Sequence, residues 1–449
     1  MPGFDVSKLN DLSVSELVSR YTFGTWRAQK GWKPMHVTKA EGVYFWDAAG
    51  KRYLDMSAQL MCSNLGHGNE AVIESICKQA RELSFVAPGN ATTVRAEATK
   101  ALLGVVPNGI EKFFYATSGT EANECAIKIA RLATGKNKII ARYNSYHGST
   151  ATSVAMTGDW RRWMAEPIQS AVPGVIHAPE CNPYRPEPFK TASDVIEYYE
   201  YILRNEGNVA AIIVEPVVGT NGVLVPPDDY FPRLRALCDK YGILLIADEV
   251  MSGWGRTGKW FAIDNWNVSP DILVTAKGVT GAMAPLGVVG VTRKVADHFE
   301  DNWFPHGHTY ESHPLTLAPA VAAIGEYKRL NLIERSASME AVFREKLEGL
   351  KARHVSVGDV RGKGMFWAIE LVKNRTTKEP FSTSRDKATR QPMLIDQITA
   401  KCVEQGVSLI GWISHLVLAP PLILTESQLD ECVAALDVAL TIADQQAVA

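Results

Sequence analysis

Three short stretches of this chain join residue types that can do chemistry to a setting that could use them. Ser118-Gly119-Thr120-Glu121-Ala122-Asn123 lies between a strand-like run and a helical one. Hydroxyls and main-chain N–H groups gather there, at a helix start whose unpaired donors and dipole favour an anion. An ordinary helix cap, with Thr120 as N-cap and an acidic first turn, accounts for the same residues. Ile246-Ala247-Asp248-Glu249-Val250 ends the most apolar run in a carboxylate, at the strand terminus where open α/β sheets bind ligands. The alternative for Asp248 is to cap a turn. Val274-Thr275-Ala276-Lys277-Gly278 ends another apolar run in a lysine. Partial burial lowers a lysine's pKa and suits it to form a Schiff base. The alternative is a lysine that reaches solvent.

Each stretch alone is ambiguous; together they form a constellation. An anion cradle, a carboxylate and a buried lysine at consecutive strand ends are what pyridoxal 5'-phosphate requires. Its phosphate needs the helix start, its ring nitrogen an acid, and its aldehyde the lysine.

The elements that must position these residues are visible in the pattern. Lys112 to Ala116 reads as a strand and Thr120 to Ala133 as a helix closed by Gly135. Strand-like runs follow at 138–142, 210–215, 243–250, 272–276 and 287–292. Between them, residues 230–241 place Leu234, Leu237, Cys238 and Tyr241 on one helical face, ended by Gly242. This alternation predicts an α/β fold with a largely parallel, doubly covered sheet. Helical patterns dominate 315–353, and 354–449 mixes strands (365–371, 416–419) with helices (392–405, 426–443), as a smaller α+β domain would. The expected division is an N-terminal segment (1–70) joining the small domain, a large domain (71–325) and a C-terminal small domain (326–449).

Composition narrows the function classes. The chain has 449 residues, 46% hydrophobic and 21% charged, with 47 basic and 49 acidic side chains. A formal charge of −2 leaves no basic excess for nucleic acid. Apolar runs such as 209–214 are far short of the roughly 20 residues of a membrane span. Met1-Pro2-Gly3-Phe4-Asp5 shows no secretory pattern, and the seven cysteines form no Cys-x-x-Cys pair, so free thiols in the cytoplasm are expected. His306, His308 and His313 lack the acidic or thiol partners of a familiar metal set, and no metal is expected. Gly104, Gly109 and Gly119 do not compose a dinucleotide fingerprint.

The order of motifs resembles the class III (omega) aminotransferases. It comprises Ser118 to Asn123, Tyr146-His147-Gly148, Glu215-Pro216, Asp248-Glu249-Val250, Gly253-Trp254-Gly255-Arg256-Thr257-Gly258 and Lys277-Gly278. Gly307-His308-Thr309-Tyr310, His313-Pro314 and Ala419-Pro420-Pro421-Leu422 extend it, so that it spans about 42–429. The resemblance implies a pyridoxal-phosphate enzyme of fold type I, similar to aspartate aminotransferase, with a seven-stranded, mostly parallel sheet. It also implies a homodimer, or a tetramer of such dimers, with shared active sites. By the same resemblance Lys277 is the Schiff-base lysine and proton shuttle, and Asp248 keeps the pyridine nitrogen protonated. Ser118, Gly119 and Thr120 form the phosphate cradle, Tyr146 stacks on the ring and Val250 packs its other face. Glu215 is an acid behind Asp248, and Thr309 reaches the partner subunit's phosphate.

The implied reaction is ping-pong transfer of an amino group to a keto acid such as pyruvate. Phospholyases and aminomutases on the same scaffold are the alternative, and a non-catalytic regulatory protein a remote one. Two departures bear on substrate. In Ser57-Ala58-Gln59-Leu60-Met61-Cys62, Met61 stands where related amine transaminases often have tryptophan, which predicts a softer wall. Tyr21, Phe23 and Trp26 are candidate aromatic walls; core packing is the alternative for all three and the favoured reading for Trp26. Ile410 stands where many relatives carry an arginine for the keto-acid carboxylate. Arg161 and Arg162, in Gly158-Asp159-Trp160-Arg161-Arg162-Trp163, are the candidate replacements. A solvated turn with an Asp159–Arg162 pair is the alternative there, and Trp412 or His415 the next places to look. An anchor of this kind would suit β-alanine or taurine as donor; a simple amine needs none.

Overall fold

A computed structural model describes residues 6–169 and 172–448; residues 1–5, on which the absence of a leader was read, lie outside them. Near the N-terminus β1 (Val37–Glu41), β2 (Tyr44–Asp47) and β3 (Arg52–Asp55) form an antiparallel meander. The middle of the chain supplies β4 (Ile110–Ala116), β5 (Lys138–Arg142), β6 (Val175–Ala178), β7 (Val209–Val214), β8 (Leu244–Asp248), β9 (Ile272–Thr275) and β10 (Gly287–Thr292). They make one seven-stranded sheet in the order β4-β10-β9-β8-β7-β5-β6. Only β10 runs against its neighbours. Every residue of β7, β8 and β9 is buried, as expected for strands covered by helices on both faces. β6 was not anticipated: Val175-Ile176-His177-Ala178 is too short and too mixed to stand out by pattern.

The C-terminal part adds β11 (Val357–Lys363), β12 (Phe366–Asn374), β13 (Glu379–Pro380), β14 (Val407–Ser408), β15 (Ile410–Trp412) and β16 (His415–Leu418). Four of them form an antiparallel sheet in the order β11-β12-β16-β15, with β13 on β12. β14 leaves that sheet and pairs in parallel with β3, so the N-terminal meander is stitched to the C-terminal part. The helical stretch from 315 resolves into two helices, Pro314–Arg329 and Leu332–Arg353, parted at Asn331, whose φ of 50° is left-handed.

Arg256 fastens the parts to one another. Wholly buried, it donates to the main-chain oxygens of Met365 and Pro420 and to Asn64 Oδ1. Burial with only neutral acceptors pushes its guanidinium down to about 10.

The turn that links β3 to this hub is strained. Ala58, Gln59 and Met61 all have positive φ, at 43°, 58° and 54°, which side chains other than glycine adopt at a cost. The buried Asp55 carboxylate holds them there. It accepts from Ser57 N–H and Oγ–H (3.2 and 3.0 Å), from Gln59 N–H and Nε2 (3.0 and 2.9 Å), and meets His67 Nε2 at 2.9 Å. Asp55→Ala is expected to lower stability by about 3 kcal/mol, because these donors lose a shared acceptor while the strain remains. Urea unfolding checks it, and a change under about 0.5 kcal/mol would mean the turn holds itself.

Candidate active site

The carboxyl ends of the parallel strands open onto one cavity of about 170 Å3. Ser118, Gly119 and Thr120 reach it from the end of β4, Tyr146 from beyond β5 and Glu215 from β7. Asp248 and Val250 reach it from β8 and Lys277 from β9. Local sequence explains the helix start. Ser118, at φ −153°, is the N-cap of helix Gly119–Thr134, and its Oγ accepts Glu121 N–H at 3.2 Å. The cap is therefore Ser118 and not Thr120, which leaves Thr120 in the first turn, lining the cavity. First-turn N–H groups have no partner within a helix, so capping by Ser118 and anion binding by its neighbours are compatible. Gly119 is required because a Cβ there would lie 2.9 Å from Val250 Cγ2. Gly148, at φ 138°, is required because a Cβ would lie 2.5 Å from Ser153 Oγ and 2.8 Å from Thr120 Oγ1.

Asp248 sits at the centre of a polar cluster. Its Oδ2 accepts Asn123 Nδ2 and meets His147 Nδ1, both at 2.8 Å, and its Oδ1 accepts Val250 N–H at 3.1 Å. Neither Asn123 nor His147 was singled out from sequence, although both lie inside quoted motifs. The signal available was their place one helical turn or one residue from a named group. Glu215 accepts Tyr146 N–H at 2.9 Å and Gly219 N–H at 2.8 Å, which fixes the loop carrying the Tyr146 ring. Burial pushes the Glu215 carboxyl up, with the nearby Asp248 adding to it, while His147 and the two N–H donors pull the other way.

Lys277 has a left-handed φ of 50° and begins a short 3-10 turn, Lys277–Thr280, backed by Trp254 and Asn64 against Gly278. Desolvation lowers its pKa, against the opposing pull of Cys62, Asp248 and Glu215. A lysine so placed is closer to the neutral amine that carbonyl chemistry needs.

Other sequence candidates scatter. Tyr21 and Phe23 are exposed, Phe23 at 92%, and neither lines the cavity. Trp26 does not line the cavity either, but it touches one side chain that does: its ring stands edge-on to Tyr146 at 6.1 Å. Met61 is 2% exposed, packs in the core at the end of the strained turn, and is not among the side chains that line the cavity. Arg161 and Arg162 part company. Arg161 is buried and paired with Asp159, whereas Arg162 Nη1 meets His177 Nδ1 at 3.1 Å, and neither lines the cavity. In place of the alternative, a solvated Asp159–Arg162 pair, the structure has a buried Asp159–Arg161 pair, because Asp159 caps the turn that presents Arg161 inward. Ile410 is half-buried in β15, Trp412 donates to Asn221 Oδ1 at 3.0 Å, and His415 faces Glu370 at 3.2 Å. Thr309 is exposed in a turn of the single chain. Among the histidines, His306 meets Lys128, His308 lies 3.7 Å from Glu121, and His313 caps the helix from Pro314.

Glu249, next to Asp248, is a buried acid of a different kind. It accepts Ile263 N–H at 2.7 Å and Ser252 Oγ–H at 2.6 Å, and burial pushes its carboxyl from an ordinary 4.5 up to about 7. Between those values the folded chain holds a proton that the unfolded chain has lost. Stability from this group is therefore greatest at low pH and falls as pH rises from 4.5 to about 7, by roughly 3 kcal/mol in all. Glu249→Gln should remove that slope, which the difference between wild-type and variant unfolding energies from pH 5 to pH 8 measures. Parallel curves would show that Glu249 titrates normally.

The residues present fit pyridoxal 5'-phosphate. The helix start offers donors for a phosphate, Asp248 an acid for the ring nitrogen, and Lys277 an amine for the aldehyde. Asn123 Oδ1 and His147 Nε2 are buried without a hydrogen-bond partner among the described residues, on two side chains that line the cavity.

Comparison with known proteins agrees. The model of the class-III aminotransferases matches residues 27–440. Putrescine–pyruvate aminotransferase of Pseudomonas aeruginosa is 36% identical, over 88% of each chain. Taurine–pyruvate aminotransferase of Bilophila wadsworthia is 34% identical, over 96% of this chain and 98% of that one. Among solved structures, taurine:2-oxoglutarate aminotransferase from Bifidobacterium kashiwanohense, in complex with PLP and glutamate, superposes with a TM-score of 0.92. It is 38% identical, with 100% of both chains covered.

Proposed function

The chain belongs to the class-III aminotransferase family, and on that premise we propose that it transfers the amino group of a primary amine or omega-amino acid to a keto acid such as pyruvate. Pyridoxal 5'-phosphate is its cofactor. The observation that carries the reading is the single cavity shared by the helix start at Ser118, the carboxylate of Asp248 and the amine of Lys277. Donors of the putrescine or taurine type are supported by the relatives named for putrescine and taurine with pyruvate, and β-alanine is the carboxylate counterpart of the taurine type.

When bound, the cofactor draws electrons from the amino-bearing carbon into its ring. The chain does the rest. Gly119 and Thr120, with Ser118, would hold the phosphate at the helix start. Asp248, ordered by Asn123 and His147, would keep the proton on the ring nitrogen. Tyr146 and Val250 would cover the ring's two faces and exclude water. The Lys277 Nζ, its pKa lowered by desolvation, would take a proton from the amino-bearing carbon and return it on the far side of the nitrogen.

A pair of half-reactions predicts a stall. Protein given an amine without keto acid should consume about one amine per site and stop, and added pyruvate should restart it with release of alanine. Continued turnover on an amine alone would instead indicate elimination chemistry.

A homodimer, alone or paired into a tetramer, completes the proposal. It is supported by exposed apolar side chains around Thr309, including Trp303 and Tyr310, and by the exposed Leu60 on the strained turn. A cytoplasmic setting is supported by seven free cysteines. No helix among the described residues is long and apolar enough to cross a membrane.

A further inference from the structure

Arg161 is too deeply committed to greet a substrate. It is 5% exposed, and its Nε and Nη2 donate to the Asp159 carboxylate at 3.0 and 2.5 Å. Nη2 also reaches Thr220 Oγ1 at 3.0 Å. Its flat face is taken as well. The guanidinium carbon lies 3.9 Å from the Tyr146 ring centre, 4.6 Å from that of Trp412 and 5.8 Å from that of Trp26. Asp159 is itself buried and accepts Asn221 Nδ2 at 3.1 Å, while Asn221 Oδ1 accepts Trp412 Nε1 at 3.0 Å. The circuit closes: carboxylate, guanidinium, indole and amide each hold the next. Trp412 belongs to β15 of the C-terminal part, so the circuit spans two parts of the chain. At its other end Tyr146 is fixed by its own N–H on Glu215.

We propose that Arg161 is a positioning residue that acts through Tyr146. Clamped by Asp159 and backed by Trp412, it sets the Tyr146 ring from behind and ties it to the C-terminal domain, and it does not hold the substrate's carboxylate. Cation–π contact is strongest for a planar, desolvated guanidinium, and this geometry supplies both conditions. Use of Arg161 as an anchor would require opening a buried ion pair and leaving Asp159 charged and unpartnered, which is strongly unfavourable. The inference rests on the reading of the cavity as the cofactor's site.

The test compares two acceptors, pyruvate and the uncharged butanal, in wild-type, Arg161→Ala and Arg161→Lys holoenzymes. It reads the circular dichroism of the bound cofactor, cofactor retention on dilution, and KM for each acceptor. Both variants are expected to lose cofactor dichroism and to retain the cofactor about five- to tenfold less tightly. The two KM values should move together, within about threefold of one another. Lysine is informative because it keeps the charge and loses the plane, so it should not rescue. A selective rise in KM for pyruvate, rescue by lysine, or unchanged dichroism and retention would each overturn the proposal. If Arg161→Ala does not fold, Arg161→Lys and Trp412→Leu carry the same criteria. Wild-type protein that shows no cofactor band at all would overturn the underlying reading and this proposal with it.

Discussion

Lys277→Ala protein is expected to lose at least about a thousandfold in turnover while still binding pyridoxal 5'-phosphate reversibly. The helix start at Ser118, the Asp248 cluster and Tyr146 are all independent of the lysine side chain, so most of the binding surface survives. What is lost is the covalent hold on the cofactor and the base that moves the proton. Borohydride should fix the cofactor to wild-type protein at Lys277 alone, and mass spectrometry of the peptide reads the site. Label on another lysine would dismiss the assignment. One structural cost is avoided in the variant: alanine has no buried amine to desolvate. It inherits the left-handed φ of 50°, however, so Lys277→Gly is the control that relieves the strain.

Asp248→Asn should be nearly as severe, with a loss of about a hundred- to ten-thousandfold. Asparagine keeps the shape but not the charge. A neutral amide cannot hold a proton on the ring nitrogen, so the electron draw that the reaction needs is weakened. The side chain can turn its oxygen to Asn123 and His147, which approach Oδ2 at 2.8 Å, so the fold should persist. The measurement is the rate of amine consumption in a single half-reaction, followed at the cofactor's absorbance. A loss of less than tenfold would show that Asp248 does not govern the ring nitrogen. Asn123→Ala and His147→Ala should lower the same rate by less, because each leaves the charge in place and removes one of the donors that orient it.

Both predictions concern residues that stand out along the chain, and the reason is local. Strands buried on both faces are almost purely apolar, so a charge at the end of such a run, Asp248 or Lys277, is conspicuous. A helix start after a strand is equally plain, and Ser118 to Asn123 follows β4 directly. The alternation that places all three on the same side of a parallel sheet is a property of the chain's period and connectivity. The cofactor and the fold class were therefore legible without coordinates.

Side-chain direction and partnership were not, because they depend on residues far apart in sequence and on the last few ångströms of packing. Asp248 meets Asn123 and His147, 125 and 101 positions away, and no local pattern joins them. Trp26 and Phe23 are three residues apart on the same irregular segment. Only the tertiary structure turns one toward Tyr146 and leaves the other in solvent. Met61 follows a backbone that Asp55 forces into left-handed angles, which sends its side chain into the core. Arg161 and Arg162 are adjacent and chemically identical, and a helical step of about 100° between them decides everything. One turns into Asp159 and the stacked rings, the other toward His177. The chain by itself determined which chemistry is present and on which strand ends. Packing alone decided which of its spare arginines and aromatics take part, since a side chain's direction is set by the neighbours that fold brings to it.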